Sequence, residues 1–301
     1  MLKFTTVLSS EQSLKRHTLI QSSLRAESTY SIELEYPQVF ANHENCITGL
    51  LGDNPIVHAS ILYREFAATS GETWKAGLIG NVATDESYRG QGYQRLLFQH
   101  LENKALSDGA EALILWSDLF SFYKKLGFRE FGTEVRYMWS ASQLPGVVPL
   151  TLSVSPSAIL TLNEFENLLK LRPSDLTTLT RTAKDFQQLI EVPETSLIRG
   201  FDSQGVLQAW TILGKGFDMR GVAHEWGAKD PKYLLGLFTA VSMACGSNPF
   251  MILAPNQMAI DWHVMLEVGS SSKSFHPMAM IKQLSANILP EEAFIWGLDS
   301  I

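Results

Sequence analysis

One short stretch in the first third of the chain limits the fold more than any other. Residues 75–84 read as a strand, and Arg89-Gly90-Gln91-Gly92 as a turn. Tyr93, Leu96, Leu97, Leu101 and Ala105 then follow at the i, i+3, i+4 spacing of a helix lying on a sheet. A strand that runs through glycines straight into a helix belongs to a layered α/β chain. It also aims the helix's unpaired backbone N–H groups, and the positive end of its dipole, at whatever sits on the turn. An anion such as pyrophosphate suits that place. Gly90 and Gly92 remove side chains that would block close approach, and Arg89 and Arg95 add charge. The turn has neither the Gly-Lys-Ser/Thr of a P-loop nor the G-x-G-x-x-G of a dinucleotide fold.

The elements around it alternate. Ser9 and Gln12 form a capping box that opens a helix over 9–25, with Leu14, Ile20 and Leu24 as apolar positions. Strands at 46–51 and 56–66 are joined by the turn Gly52-Asp53-Asn54-Pro55. Gly109 ends the helix that follows the glycine turn. Residues 111–116 form a buried strand, 119–126 a short helix stopped by Gly127, and 134–140 a further strand. The order predicts an α/β (α+β) fold, a mixed central sheet flanked by helices.

A chain of 301 residues, against about 150 for a usual domain, should hold two. The proline-rich stretch 144–156, LPGVVPLTLSVSP, is the expected joint, although its alternating apolar residues also suit a terminal strand. The domains expected are residues 1–148 and 156–301. The second half repeats the order of the first. It has a hairpin of 195–201 and 206–213 around Asp202-Ser203-Gln204-Gly205, a strand at 221–226, a helix at 231–245 and a strand at 250–254. A segment with Trp262 and Leu266 then leads to Val268-Gly269. Pro231 lies 140 residues after Gln91, Phe250 138 after Ala112, and Gly269 142 after Gly127. One fold is therefore expected twice, in tandem.

Composition excludes several classes. With 24 Lys and Arg against 31 Asp and Glu, the net charge is −7, the opposite of a phosphate-tracking surface, so no nucleic-acid partner is expected. Mean hydropathy is +0.01, and no apolar run approaches the ~18 residues of a membrane span. The opening MLKFTTVLSSEQSLKRH lacks an apolar core followed by a small-residue cleavage site. These features predict a cytoplasmic protein with no membrane partner. Cys46 and Cys245 are then free thiols packed in the interior. The seven histidines have no metal-type spacing, so no metal is expected.

Residues 78–128 together resemble the GNAT superfamily of acyl-CoA-dependent N-acetyltransferases. Its coenzyme A signature is Q/R-x-x-G-x-G/A. Arg89 and Gly92 stand at the first two fixed positions, and Gln94 replaces the third. Val82-Ala83-Thr84-Asp85 is similar to the end of the family's central strand. Phe122-Tyr123-Lys124-Lys125-Leu126-Gly127-Phe128 is similar to its F/L-Y-x-K-L-G-F motif. The resemblance implies acetyl-CoA as co-substrate, bound by Val82, Ala83 and Thr84 and by Arg89, Gly90, Gln91, Gly92, Tyr93, Gln94 and Arg95. It also implies a primary amine acceptor, small molecule or peptide, that attacks the thioester directly, and the acidic chain favours a cationic one. Tyr123 is then the acid that protonates the leaving thiolate; the alternative is an amphipathic core residue. Phe122 and Phe128 belong to the core. Trp116-Ser117-Asp118 stands where the family often has an Asn.

Asp118, Glu35 and Glu44 are the carboxylates available as a base, although each reads more readily as an exposed charge or helix cap. His224-Glu225 offers either a catalytic pair or a strand-end pair facing solvent or the domain interface. In the second half, residues 227–231 stand where the pyrophosphate turn should be. There Asp230 would repel phosphate and Pro231 lacks an N–H donor. The second copy is thus expected to be degenerate, used for packing or to wall the acceptor site. An acyl-CoA-binding module without turnover is the alternative function.

Overall fold

The computed structural model describes residues 1–155, 160–174 and 176–301. The chain forms two compact units that do not follow the two halves of the sequence. The first comprises Met1–Gly132, Met278–Ala293 and Ser300–Ile301, the second Thr133–Pro277 and Phe294–Asp299. The boundary thus falls inside a strand, not at the proline-rich stretch, and late residues return to the first unit. Pro156, the last residue of that stretch, lies outside the described residues.

In the first unit, β1 (Leu2–Thr5), β2 (Cys46–Leu51), β3 (Asn54–Ala67) and β4 (Thr73–Thr84) run antiparallel in that order. β5 (Ala112–Leu115) joins β4 in parallel, which requires the crossover helix α4 (Tyr93–Ser107). The end of β13 (Ser270–Gln283) then pairs antiparallel with β5, Met280 opposite Leu115 and Gln283 opposite Ala112. Alternation along β3 separates the two faces. Val57, Ala59 and Ile61 join Leu97, Phe98 and Leu101 of α4, while Leu62 turns to the opposite side. That side is covered by α1 (Ser10–Leu24), α2 (Ile32–Glu35) and α3 (Pro37–Phe40).

α1 opens on the expected capping box, with Ser9 and Gln12 bonding reciprocally. Its apolar face is not the expected one. Leu19 and Ile20 are buried, whereas Leu14 is 68% exposed and Leu24 also faces solvent. Leu96 of α4 is likewise exposed. Cys46 is buried as expected, but Cys245 is exposed, at the end of a helix where chain reversal leaves it uncovered. β1, α2 and α3 have too few residues to show a period and were not anticipated.

The second unit has β7 (Thr151–Ser155), β9 (Ser196–Phe201), β10 (Leu207–Leu213) and β11 (Val222–Ala228) in antiparallel order. β12 (Phe250–Pro255) is parallel to β11 across the helix α8 (Lys232–Ala244), and β6 (Arg129–Trp139) pairs antiparallel with β12. The sequence of strand directions is the same as in the first unit. The proline-rich stretch thus ends in a strand, β7. Two helices not anticipated, α6 (Leu162–Lys170) and α7 (Ala183–Ile190), each open on a capping box, Thr161 with Glu164 and Thr182 with Asp185. Phe165, Leu168, Phe186, Leu189 and Ile190 on these helices pack on Trp210 and Ile212 of β10. Thr178–Leu179 (β8) adds a single parallel bridge to Phe294, and α9 (Ile260–Val268) precedes β13.

A late residue should therefore matter to the first core. Met280 is fully buried there. Met280→Ala should cost about 2–5 kcal/mol in urea unfolding, whereas Leu106→Ala, at an exposed site, should stay within about 0.5 kcal/mol.

Candidate active site

The site grows from a break in β4. Its ladder with β5 runs from Ala76–Ala112 to Ile79–Leu115 and goes no further. On the other edge, Ser60 opposes Gly80 but His58 opposes Ala83, so one extra residue is inserted in β4. The insertion is a β-bulge at Asn81 and Val82. Asn81 takes φ 52°, a left-handed conformation that Asn tolerates better than most residues. Its amide donates to Ser60 Oγ at 3.2 Å, and Ser60 Oγ donates to the Gly80 carbonyl at 2.9 Å. Both side chains are buried. Neither Asn81 nor Ser60 was singled out from the sequence, although an Asn inside a strand was the available sign.

Within the bulge, Val82 packs on the core of the α4 side, as Tyr88 and Tyr93 do, while Ala83 beyond it packs with Leu19, Ile20 and Ile32. Thr84 opposes Val57 in the ladder, and its hydroxyl is buried with no hydrogen-bond partner. Asp85 caps the turn by accepting from Ser87 N at 2.9 Å. Arg89 donates from Nε to the Thr84 carbonyl at 3.4 Å, and Gln91 from Nε2 to the Ser87 carbonyl at 3.0 Å. Gly90 and Gly92 have φ 74° and 82°, and open space stands where a Cβ would be. α4 starts at Gly92 with no side-chain cap, and its first bond is donated by Leu96 to the Gly92 carbonyl at 3.3 Å. The amides of Tyr93, Gln94 and Arg95 are therefore at the helix's open end. Gln94 is half-buried and Arg95 exposed.

Tyr123, on α5 (Phe120–Lys124), lies on the α4 side of the sheet. Phe98, Phe122 and Phe128 meet its ring edge-on, with centroids 5.6, 5.0 and 5.9 Å away. Burial pushes its hydroxyl up to about 12, and a hydrogen bond with Ser117 pulls the other way. The ring is thus packed in the core as the alternative reading had it, and the hydroxyl meets Ser117, two residues past the end of β5. On the opposite face a cavity of about 620 Å³ lies between α1 and the turn, with Lys15, Thr18, Ser22, Asp85, Glu86 and Arg89 among its walls.

The other singled-out groups lie elsewhere. Asp118 and Glu44 are exposed, and Glu44 is 3.2 Å from His43. Glu35 is not an exposed charge: it is 2% exposed and pairs with Arg25 at 3.4 Å. His224 and Glu225 are likewise fully buried, not a strand-end pair in solvent. Burial lowers His224 to about 4, and its Nε2 meets the Gly214 carbonyl at 3.0 Å. Burial would raise Glu225, but the guanidinium groups of Arg172 and Arg181 hold it at about 2. At the end of β11 the amides of Ala228 and Lys229 are already spent, on the Leu171 and Gln208 carbonyls at 2.8 Å each. Asp230 accepts from Lys232 N at 3.0 Å.

The site thus combines a splayed parallel strand pair, a glycine turn with open amides and a buried tyrosine. Residues 21–131 match the family model described as "Acetyltransferase (GNAT) domain". That match spans 111 of the 301 residues and contains the stretch, 78–128, that carries the resemblance to the GNAT acetyltransferases. The fold of the larger chain is similar to a conserved protein of unknown function from Enterococcus faecalis, at TM-score 0.69 and 13% identity, covering 94% of this chain and 73% of that one. A GCN5-related N-acetyltransferase from Kribbella flavida gives TM-score 0.68 and 14% identity, covering 94% and 71%. Saccharomyces cerevisiae N-myristoyltransferase with bound myristoyl-CoA gives 0.57 and 8%, covering 93% and 82%. No curated protein matches the sequence at a significant level. Among the described residues no helix is long and apolar enough to cross a membrane.

The bulge gives its own test. Asn81→Gly, which keeps the left-handed φ, should leave stability within about 1 kcal/mol. Asn81→Val, β-branched at φ 52°, should cost about 1–3 kcal/mol in urea unfolding. Equal stabilities would mean that the bulge is not held by this residue.

Proposed function

We propose that the chain is an acetyl-CoA-dependent N-acetyltransferase, with its active site in the N-terminal half and a primary amine as acceptor. The observation that carries this reading is the set of open amides at the start of α4, which follows the splayed end of β4, together with a Tyr123 hydroxyl that meets Ser117 just past the end of β5. The turn binds the pyrophosphate of the coenzyme, with Arg89 and Arg95 adding positive charge. Backbone N–H groups around Val82 to Thr84 stabilise the negative charge that grows on the thioester oxygen. Preorganised donors of this kind are commonly worth about 2.7–4 kcal/mol. The amine nitrogen, attacking in its neutral form, bonds to the carbonyl carbon, the C–S bond breaks, and the sulfur takes the proton from the Tyr123 hydroxyl; the nitrogen's surplus proton passes to solvent, from which the tyrosinate is reprotonated.

That last step is set by burial. At about 12, the Tyr123 hydroxyl stays protonated across the physiological range and can always donate. Transfer to a solvated thiolate near 8.5 would be uphill by about 5 kcal/mol. The proton therefore moves as the C–S bond breaks inside the cleft, where desolvation raises the thiolate as well. The cavity beside α1, on the other face of the sheet, is the approach for the acceptor, and its walls carry Asp85 and Glu86 beside Lys15 and Arg89. The second unit we read as a degenerate copy of the first, because its equivalent amides are taken by its own carbonyls. A reducing cytoplasm fits the two free cysteines.

Titration calorimetry with acetyl-CoA tests the first step. Gly92→Glu should weaken binding by at least about tenfold, through strain at a left-handed position and repulsion of phosphate. Gly71→Glu, at φ 89° in a hairpin away from the turn, carries the same strain and should bind normally. Failure of the unaltered protein to bind would end the proposal. In thiol-release assays over an amine panel, Tyr123→Phe should lower kcat by about 100-fold with acetyl-CoA KM little changed. Turnover should also show no loss from Tyr123 ionisation below about pH 10.5. Unchanged turnover in Tyr123→Phe would remove its acid role, and slow hydrolysis with every amine would favour a binding module.

A further inference from the structure

A group of charged side chains lies buried in the second unit, where the chemistry proposed above has no use for them. Arg181 stands at the centre, its side chain 1% exposed. Its Nη1 donates to both oxygens of Glu225 at 3.0 and 3.2 Å, and its Nε to Asp299 Oδ1 at 3.2 Å. Arg172 also donates to Glu225. Lys215 Nζ donates to the carbonyls of Gly297 and Leu298 at 3.3 and 2.8 Å. Gly297 is pressed on His224, so that a Cβ there would come within 2.5 Å of the histidine Cβ. Arg172 stacks over the Trp296 ring. Taking charges out of water costs about as much as their pairing returns, so a cluster of this kind adds a fixed arrangement more than net stability. Around the Glu225 pairs, the contacts of Arg181 with Asp299, Lys215 with Gly297 and Leu298, His224 with Gly297, and Arg172 with Trp296 all grip one stretch, residues 296–299.

The two residues that follow belong to the first unit. Ile301 packs with Val39, Cys46 and Leu62, beside Tyr36 and Phe40. A Cβ on Gly80 would lie 2.7 Å from the Ile301 carbonyl carbon and 2.9 Å from its oxygen. The glycine is what admits Ile301 to this place, and the next residue along β4 is Asn81 of the bulge. Ile301 therefore covers β4 on the α1–α3 side, the face opposite Tyr123.

We propose that residues 294–301 are a strap, anchored by the buried Arg181–Asp299 ion pair, whose end at Ile301 walls the splayed part of β4. Arg181 and Asp299 are then positioning residues for acyl transfer, although neither touches a reacting atom. The functional consequence rests on the acetyltransferase reading, but the anchoring itself does not.

Hydrogen exchange on the full chain without ligand separates the two. Asp299→Asn weakens the anchor, and Gly80→Ala evicts Ile301 while leaving the anchor untouched. Both should speed amide exchange at 81–83 and 300–301 by about tenfold, with the buried amides of Ile47 and Ile61 unchanged. Asp299→Glu, which keeps the charge, should restore most of the protection. With acetyl-CoA and no amine, both destabilised straps should admit water and raise thiol release about threefold, at unchanged acetyl-CoA affinity. Exchange at 81–83 that stays at the wild-type rate in a folded Asp299→Asn protein would overturn the proposal. If that variant does not fold, Lys215→Met, which frees the carbonyls of residues 297 and 298, gives the same comparison. If the wild-type protein binds no acetyl-CoA, the acetyltransferase reading fails while the exchange data still decide the strap.

Discussion

A parallel pair of strands is held by evenly spaced backbone hydrogen bonds, and β4 and β5 stop forming them after Ile79 and Leu115. From there the strands have no reason to stay together, and the peptide groups of residues 80–84 lack a strand partner on that side. The bulge at Asn81 and Val82 fixes how β4 turns away, and the Asn81–Ser60–Gly80 bonds hold the bulge. The remaining features of the site depend on this break. It brings the strand end to the glycine turn, gives the turn its run into α4, and leaves Ser117 and Tyr123 at the exit of β5.

The second unit shows what the same topology becomes when the break is filled. β11 also carries an irregularity against β10, between Ile212 and Leu213, and runs parallel to β12 across a helix. Yet Gly227 lies under the backbone of Leu171 and Arg172, with no room for even a Cβ, and the following amides bond to protein carbonyls. In place of an open turn there are Asp230 and Pro231. The interior that could have faced a ligand holds the Arg181 ion cluster instead. One strand order thus supports an open backbone site in one case and a filled, charge-locked core in the other.

Much of this was legible from short-range patterns. The Ser9 capping box, the period of α4, the left-handed glycines and the parallel crossover all depend on residues near one another in sequence. Long-range facts were not legible. No local pattern says that Met280 pairs with Leu115, because an edge position in a sheet is set by which strand arrives there. Leu14 has the right spacing for a buried face but sits where α1 overhangs the cavity. His224-Glu225 looked like a surface pair because the partners of Glu225, Arg172 and Arg181, come from loops distant in sequence. The capping boxes at Thr161 and Thr182 were readable and announce α6 and α7 without any need of tertiary context.

The central claim is that the open amides after β4 are the coenzyme site. A crystal structure of the full chain with acetyl-CoA addresses it most directly. The account predicts pyrophosphate oxygens within about 3 Å of the backbone N–H groups of residues 90–95, with the thioester between the ends of β4 and β5 and its sulfur beside the Tyr123 hydroxyl. Coenzyme bound elsewhere, or a thioester on the far side of the sheet from Tyr123, would contradict it.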